Sequence, residues 1–373
     1  MTAKFSVYHE PGTSTSGRRF FSNLAEGLSK HAVPLSDLPA AVLFNISAPL
    51  RKILTARLCG QVVVLRVDGL YADFLSPAFI ATFRWPMRLL LSAALKRGGA
   101  RGRLAHFANF LNENWTGFAR ICLANRIVYQ SEFSREVHQR FFPSKPFDVI
   151  VNGSFYVGKN GTHRASGDAI NLVTIYDEFR PQKRMQDLVR FVEWARQVKQ
   201  VPVNLAILGY TGKWPASVSA EVKRFVEGAP YIKTLPRFGS FEGEAARLLG
   251  DADMYATFTF RDSCPNAVVE AMAFGLPVLA LDSGGVPDIV GDAGELIPSG
   301  DDDSDFFFSG RYECDFPPIC FETVLAALLK VHADLPRYRA RVRARFADQL
   351  EMSVVVSKYR RTMLDAMEGV RVG

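Results

Sequence analysis

Long apolar runs are missing from this sequence. A membrane-spanning helix needs about 20 consecutive apolar residues, and no uncharged stretch of that length occurs. The first residues, Met1–Glu10, contain no apolar h-region of the kind found in signal peptides. We therefore expect neither a spanning helix nor a signal peptide. The expected location is cytoplasmic, with peripheral contact at the inner membrane face as a further option.

Cysteine is also scarce, with five copies in 373 residues and no C-x-x-C pair. Cysteine and histidine do not cluster at the spacing of metal ligands. Asp251-Ala-Asp253 has carboxylate spacing, but it lies at the amino end of a predicted strand, away from the ligand-binding edge. We expect free thiols in a reducing compartment, no metal and no cofactor. The missing Gly-x-Gly-x-x-Gly argues against a dinucleotide-dependent dehydrogenase.

Acidic residues are sparse in the first part of the chain. Residues 1–155 contain 19 Lys/Arg and 9 Asp/Glu, a balance of +10, whereas residues 156–373 contain 26 and 29, a balance of −3. This difference indicates two units with different partners. The basic unit would suit nucleic acid, an anionic membrane or an anionic small molecule.

Short apolar runs alternate with helical patterns along the chain, which is typical of parallel βαβ units. The polar segment Gly153–Gly167 interrupts this alternation. We predict an α/β protein with one Rossmann-like domain over residues 1–155, a second over residues 156–350, and a terminal helix over residues 351–373. The pattern over Tyr338–Met367 predicts continuous helix.

One segment between a predicted strand and helix has the most informative chemistry: Asp262-Ser-Cys-Pro-Asn-Ala-Val-Val-Glu270. Pro265 suits the first helical turn, and Ser263 is a candidate cap. The unpaired N–H groups of that turn form an anion site. Glu270 lies just over one turn further on, so its carboxylate can accept hydrogen bonds from a polyol such as ribose. Either acid alone would equally fit a helix cap or a solvated helix face.

The whole string resembles the signature of retaining family-4 glycosyltransferases of the GT-B fold. The resemblance rests on Asp262-x7-Glu270, then Ala271-Met-Ala-x-Gly-x-Pro-Val278, then Ser283-Gly-Gly-Val-Pro-Asp288. Most members have Glu where this chain has Asp262. Val128–Arg135 is similar to the last strand and helix of the family's N-terminal domain. The resemblance implies two Rossmann-like domains with the C-terminal helix crossing back to the first.

The resemblance also implies roles for individual residues. Glu270 would hold the ribose hydroxyls of the donor, and Asp262 would contact hydroxyls of the transferred sugar. Backbone N–H groups near the start of the helix would face the sugar or the diphosphate. The donor-binding residues implied in this way, together with glycines of neighbouring loops, are Ser263, Asn266, Ala267, Gly209 and Gly285.

A basic segment, Arg180-Pro-Gln-Lys183-Arg184, follows the predicted strand Ile170–Tyr176. It resembles the Arg and Lys pair of the same family, in which fixed cations stabilise the charge of the departing diphosphate. The commonest spacing in the family would place the arginine at Glu178, so Arg180 is the substitute here. The alternative is an ordinary basic helix start exposed to solvent.

Two features of the predicted first domain are further candidates for the ligand site. The loop Pro11–Gly17, with Gly12 and Gly17, occupies the place of the family's Gly-rich loop, although an ordinary βα connection fits equally. Asp68, after a buried strand, would orient the acceptor hydroxyl, and the alternative that we favour slightly is a turn-forming Asp-Gly.

We therefore expect a nucleotide-sugar-dependent, retaining hexosyltransferase that acts without metal. Its acceptor would be a glycan or a lipid-linked molecule in surface glycan, polysaccharide or glycolipid synthesis. The alternatives are a GT-B-fold sugar epimerase, an inverting transferase, and a nucleic-acid-binding protein, which lacks a recognisable binding motif here.

A basic, apolar segment, Phe79–Arg103, has six cations and no acid. It fits either an amphipathic segment on an anionic bilayer or a core helix followed by a solvated loop. His106 is a candidate for the histidine that the family often has near the donor sugar. The surrounding residues do not match, so we interpret it as a packing histidine.

Overall fold

Two parallel β-sheets organise the chain, and the predicted α/β class is confirmed. The computed structural model describes residues 4–9, 16–34, 37, 39–69, 85–86, 88–90, 92–93, 114–142, 144–155, 168–176, 181–212, 219–237, 241–300 and 316–369. Gly12, Arg180, His106, and most of Phe79–Arg103 lie outside the described residues.

The first sheet has five strands in the order β1–β2–β3–β4–β5, all parallel. Their bounds are β1 Phe5–Val7, β2 Ala41–Asn45, β3 Val62–Arg66, β4 Arg126–Tyr129 and β5 Phe147–Val149. The helices of this unit are α1 Ser16–Ser29, α2 Leu50–Leu58 and α3 Glu132–Gln139, and residues 114–123 are also helical. Strands β2 and β3 are buried along their whole length, as expected for parallel strands between helical layers.

The second sheet has six parallel strands in the order β11–β10–β9–β6–β7–β8. Their bounds are β6 Ile170–Ile175, β7 Val203–Leu208, β8 Ile232–Leu235, β9 Met254–Thr257, β10 Val278–Asp282 and β11 Gly294–Pro298. This order is the doubly wound order of Rossmann-type sheets, and the strand order reverses between β6 and β9. A crevice for ligands is therefore expected beyond the carboxyl ends of these two strands.

The helices of the second unit lie on both faces of its sheet. They are α4 Met185–Gln197, α5 Ala220–Gly228, α6 Gly243–Asp251, α7 Asn266–Ala273, α8 Val286–Val290, α9 Phe321–Ala333 and α10 Leu335–Arg345. Two apolar clusters, one on each face, contain their buried residues.

The prediction of continuous helix over Tyr338–Met367 is wrong. Helix α10 passes into a π-helical turn, Phe346–Leu350, and the chain is extended at Glu351 before α11, Met352–Gly369, begins. The break has a physical cause, because Ser154 exchanges backbone hydrogen bonds with this place. Its N–H donates to the Leu350 oxygen at 2.9 Å, and its oxygen accepts from Met352 N–H at 2.9 Å.

After this break α11 packs on the first unit, so the predicted crossing of the terminal helix is confirmed. Val355, Tyr359 and Met363 of α11 lie in one buried cluster with residues of the first sheet and of α1. The domain limits at residues 155 and 350 stay predictions.

Other boundaries differ from those predicted. Helix α1 begins at Ser16, so Gly17 lies in its first turn rather than in the preceding loop. Helix α2 was not predicted, because its pattern of apolar residues is weak: only Ile53 and Ala56 are buried. Within the described residues, no helix combines the length and the apolar character needed to cross a membrane.

Candidate functional site

The loops that follow β6 and β9 meet at the point where the strand order of the second sheet reverses. The Phe260 N–H donates to the Gln182 oxygen at 2.8 Å, and the Tyr176 hydroxyl donates to the Lys183 oxygen at 2.8 Å. These bonds bring Lys183 to Asp262, whose side chains form an ion pair with 2.7 Å between Nζ and Oδ2. Both side chains are about a quarter exposed, at 25% and 27%. The geometry thus unites two of the predicted site residues.

Backbone hydrogen bonds fix the loop around Asp262. Oδ1 of Asp262 accepts from the Cys264 N–H at 3.1 Å, and its backbone oxygen accepts from the Gly285 N–H at 2.8 Å. A Cβ on Gly284, which has φ +63°, would lie 2.4 Å from the Asp262 oxygen, and one on Gly285 would lie 1.9 Å from the Ser263 oxygen. The close approach of two backbones therefore explains both glycines, and a donor-binding role for Gly285 stays a prediction.

Helix α7 begins one residue later than predicted. Its N-cap is Pro265 in an extended conformation, and no side chain caps the helix, so the predicted cap by Ser263 is wrong. Asn266 and Ala267 provide the first helical residues. Since the first N–H groups of a helix have no partner within it, this end of α7 keeps donors for a ligand.

Glu270 lies one turn into α7 and is mostly buried, with 14% of its side chain exposed. Its partner comes from the other unit: Nη2 of Arg19 on α1 lies 3.0 Å from Oε1 of Glu270. Neither a helix cap nor a solvated helix face describes this carboxylate, because it is half of an ion pair between the two units.

Asp68 lies at the carboxyl end of β3, where it is held by two donors. Arg66 Nη1 donates to its Oδ1 at 2.6 Å, and Gln130 Nε2 donates to the same oxygen. Arg66 is fully buried, with its guanidinium 4.8 Å from the ring centre of Phe20. The Asp68 side chain is 37% exposed, so one face of its carboxylate is available to a ligand.

The same buried arginine connects the two units. Arg66 Nη2 donates to Asn152 Oδ1 at 2.9 Å, and Asn152 Nδ2 donates to Asn266 Oδ1 at 2.8 Å. The Asn152 N–H also lies 3.4 Å from the Cys264 sulfur. A polar chain therefore runs from the end of β3 to the start of α7.

Two further contacts join the units at this crevice. A Cβ on Gly69 would lie 2.3 Å from Ser263 Oγ, so the Asp68-Gly69 turn sits directly on the loop after β9. Asp288 Oδ2 accepts from the Glu132 N–H at 2.6 Å and so caps α3 of the first unit. The crevice is thus lined by both units.

Two further residues from the sequence analysis, Gly209 and Asp253, lie on other parts of the second sheet. Gly209 is buried at the carboxyl end of β7, with φ +89° and its N–H bonded to Leu235 at 2.9 Å. Asp253, the second acid of Asp251-Ala-Asp253, is buried and accepts from the Asn171 N–H at 2.8 Å. It therefore stabilises the amino end of β9, opposite the crevice.

Sequence reasoning missed four residues of this site: Arg19, Arg66, Gln130 and Asn152. A signal existed for Arg66, since an arginine at the end of a fully apolar strand is rarely buried without a partner. Asn152-Gly153 has the sequence pattern of a turn, which conceals the role of the Asn152 side chain. For Arg19 no local signal exists, because its partner lies on the other unit.

Comparisons with known proteins relate the second unit to an enzyme family. Residues 172–307 match the sequence profile of the family described as glycosyl transferases group 1. N-acetyl-alpha-D-glucosaminyl L-malate synthase of Bacillus anthracis is 30% identical over 175 residues, which are 44% of this chain and 44% of that protein. The match therefore spans less than half of the length of this curated relative.

Solved structures show the same architecture over nearly the whole chain. Anabaena HepE in complex with UDP-glucose superposes with a TM-score of 0.58 at 13% identity, covering 97% of this chain and 99% of that one. The pneumococcal O-GlcNAc transferase GtfA, in complex with UDP and GlcNAc, gives 0.57 at 14% identity, covering 93% and 60%. Residues 172–307 are thus similar to the glycosyl transferases group 1 family, and the chain has the GT-B fold.

Proposed function

We propose that this chain is a retaining glycosyltransferase that moves a hexosyl group from a nucleotide-sugar to an acceptor hydroxyl. The observation that carries the proposal is the Lys183–Asp262 pair at the reversal point of the second sheet, beside the uncapped start of α7. Two similar solved structures are complexes with UDP-glucose and with UDP, which supports a nucleotide-sugar donor. The product would enter surface glycan, polysaccharide or glycolipid synthesis.

The proposed donor lies along the second unit. Glu270 accepts hydrogen bonds from the ribose hydroxyls, and Asp262 accepts from hydroxyls of the transferred sugar. Lys183, with Arg180, stabilises the charge that develops on the diphosphate as the bond to the sugar breaks. Backbone N–H groups at Asn266 and Ala267 face the same anion.

The proposed reaction needs positioning and electrostatics rather than a covalent nucleophile. The bond between the anomeric carbon and the acceptor oxygen forms on the face from which the diphosphate leaves, and a phosphate oxygen takes the acceptor proton. Asp68, partly exposed at the crevice, orients the acceptor hydroxyl. Cys264 is unsuited to attack, because burial raises the pKa of its thiol to about 12.

The central test replaces one charge at a time. Lys183→Ala and Glu270→Ala should each lower kcat/KM for transfer by at least about 100-fold, the usual effect of removing one transition-state contact. The donor for the assay is chosen by thermal shift among UDP-, GDP- and TDP-sugars, since the bound sugar nucleotide raises Tm most. Lys199→Ala and Glu244→Ala, exposed charges of the same unit, are matched controls. Near-normal turnover in both site variants would exclude the assignment.

Stereochemistry separates this proposal from its alternatives. An NMR assignment of the product anomer distinguishes retention from inversion, and an epimerase would change the sugar without any acceptor. Independence from metal is tested in the same assay by adding a chelator, which should leave the rate unchanged.

Contact with an anionic membrane is a further part of the proposal. Trp85, Leu89 and Leu90 expose 72%, 53% and 64% of their surfaces, and Arg88 is exposed beside them. Apolar side chains next to a cation are the composition of interfacial segments. A lipid-linked acceptor would be met at such a surface, and the same proposal places the enzyme in the cytoplasm, at the inner membrane face.

A further inference from the structure

Two ion pairs of the same kind lie at the crevice. Lys183 and Asp262 pair within the second unit at 2.7 Å, and Arg19 and Glu270 pair between the units at 3.0 Å. In each pair a cation neutralises one of the two carboxylates that begin and end the Asp262-x7-Glu270 segment. The site thus balances its own charges, with one of the two cations supplied by α1 of the first unit.

Arg19 is held on the second unit by more than its ion pair. Its guanidinium carbon lies 5.9 Å from the ring centre of Phe241, and that ring packs edge-on against Phe274 at 5.7 Å. The side chain remains 39% exposed. A guanidinium whose backbone belongs to the first unit is therefore part of the ligand-facing surface of the second.

A nucleotide-sugar contains both chemical groups needed to replace these internal pairs. Its ribose and sugar hydroxyls donate hydrogen bonds to carboxylates, and its diphosphate accepts them from cations. A ribose hydroxyl that binds Glu270 competes with Arg19 for its carboxylate oxygens, while the diphosphate of the same ligand offers Arg19 a second anion. The planar fork of arginine matches phosphate oxygens in pairs.

We propose that donor binding exchanges the partners of these pairs, and that Arg19 passes from Glu270 to the donor diphosphate. The inference rests on the proposed function, since it needs a nucleotide-sugar at Glu270. Its consequence is that the first unit contacts the donor directly through a charge, so that donor binding favours the arrangement in which the two units are joined.

The test compares UDP with uridine, which has the ribose but no diphosphate, by calorimetry on the full chain; if thermal shift selects another base, the matching diphosphate and nucleoside replace them. Arg19→Ala should weaken UDP binding about tenfold, the scale of one charge-assisted hydrogen bond. Uridine binding should stay the same or tighten, because Glu270 no longer has to leave Arg19. Arg19→Lys, which keeps the charge, should retain most of the UDP affinity. Arg51→Ala, an exposed arginine of α2, is the matched control.

The outcomes separate this inference from the proposed function. If Arg19→Ala binds UDP as tightly as the wild type, the inference is wrong. It is also wrong if the affinities for UDP and uridine fall by the same factor, because Arg19 then has a structural role only. If the wild type binds none of UDP, GDP and TDP, the proposed function fails and the inference fails with it. If Arg19→Ala binds UDP more weakly and uridine as tightly as before or more tightly, the exchange of partners is supported.

Discussion

At the scale of single residues, Arg66 shows how a buried charge is maintained. Burial disfavours its charged form, but the neighbouring groups together, first of all the Asp68 carboxylate, outweigh this effect, so the pKa of Arg66 is raised overall. Its guanidinium also reaches Asn152 and the face of Phe20. Breaking a buried pair by removing one partner is costly, because the other charge is left uncompensated. We infer that Arg66 positions Asp68 and, through Asn152, the start of α7.

A second buried group, His138 on α3, makes stability depend on pH. Burial lowers the pKa of His138 to about 4, and its Nδ1 shares a 2.6 Å hydrogen bond with the Ser134 oxygen. In the unfolded chain the imidazole regains its ordinary pKa of about 6.5. The unfolded state therefore binds more protons below that pH. The contribution of His138 to the free energy of unfolding, about 3 kcal/mol, is fully present above pH 6.5 and is lost as the pH falls to 4.

Urea unfolding at pH 7.5 and at pH 4.5 measures this effect in the wild type and in His138→Leu. The free energy of unfolding of the wild type, minus that of His138→Leu, should be larger at pH 7.5 than at pH 4.5. Asp288 contacts the opposite end of α3, at Glu132, and burial raises its pKa, so its contribution should be common to both proteins. A pH-independent difference would show that His138 does not titrate in this way.

At the scale of elements, the loop between β10 and α8 decides the shape of the site. It supports the Asp262 loop through backbone contacts at Gly284 and Gly285 that leave no room for a Cβ. The glycine pair was part of the sequence signature, and its structural reason is this close approach rather than flexibility.

Gly284→Ala should therefore disturb both stability and donor binding. Gly212 is the matched control, since it also has positive φ, +69° against +63°, but an added Cβ there would meet nothing within 4 Å. Both variants bear the strain of a left-handed alanine, about 1–2 kcal/mol. Only Gly284→Ala adds overpacking, about 1–3 kcal/mol more. Thermal unfolding and UDP affinity should both be lower for Gly284→Ala, and equal values would contradict the packing argument.

At the scale of the whole molecule, the end of the chain stabilises its beginning. Helix α11 places Met352, Val355 and Met363 among the buried residues of α1 and the first sheet. A Cβ on Gly27 of α1 would lie 2.5 Å from Val356 Cγ2, which shows how closely the two helices approach. The first unit therefore depends on residues more than 300 positions later in the chain.

Met363→Ala should cost about 2–5 kcal/mol, because Met363 is fully buried and its removal leaves a cavity. Hydrogen exchange should rise in β1 to β3 more than in the second sheet. Arg360→Ala, an exposed residue of the same helix, should change neither. Equal loss of protection in both sheets would instead mean that the two units unfold as one.

The membrane proposal is also tested on the whole chain. Co-sedimentation with anionic vesicles should exceed that with neutral vesicles and should fall with salt, because charge contributes to the attraction. Leu89→Ser with Leu90→Ser should reduce binding, whereas Leu58→Ser, at an exposed leucine of α2, should not. Absence of binding to anionic vesicles removes membrane contact from the proposal.

The sequence by itself determined the class of fold and most of the second unit's site. Buried strands such as Val62–Arg66, and the strand-to-helix step from β9 to α7, follow from local periodicity and turn chemistry. Lys183, Asp262 and Glu270 could be predicted because their motifs resemble those of a known family, and because each stands near the carboxyl end of a predicted strand, where parallel strands bring residues together.

Only the tertiary structure decided how the charges are paired. Arg19 and Glu270 are 251 residues apart, and Arg66 and Asn152 are 86 apart. Such contacts depend on how one sheet is placed against the other and on where the terminal helix returns, which no local pattern encodes. The break at Glu351 has the same origin, since Ser154 takes the hydrogen bonds there. Local chemistry thus specified which residues reach the crevice, and long-range packing specified their partners.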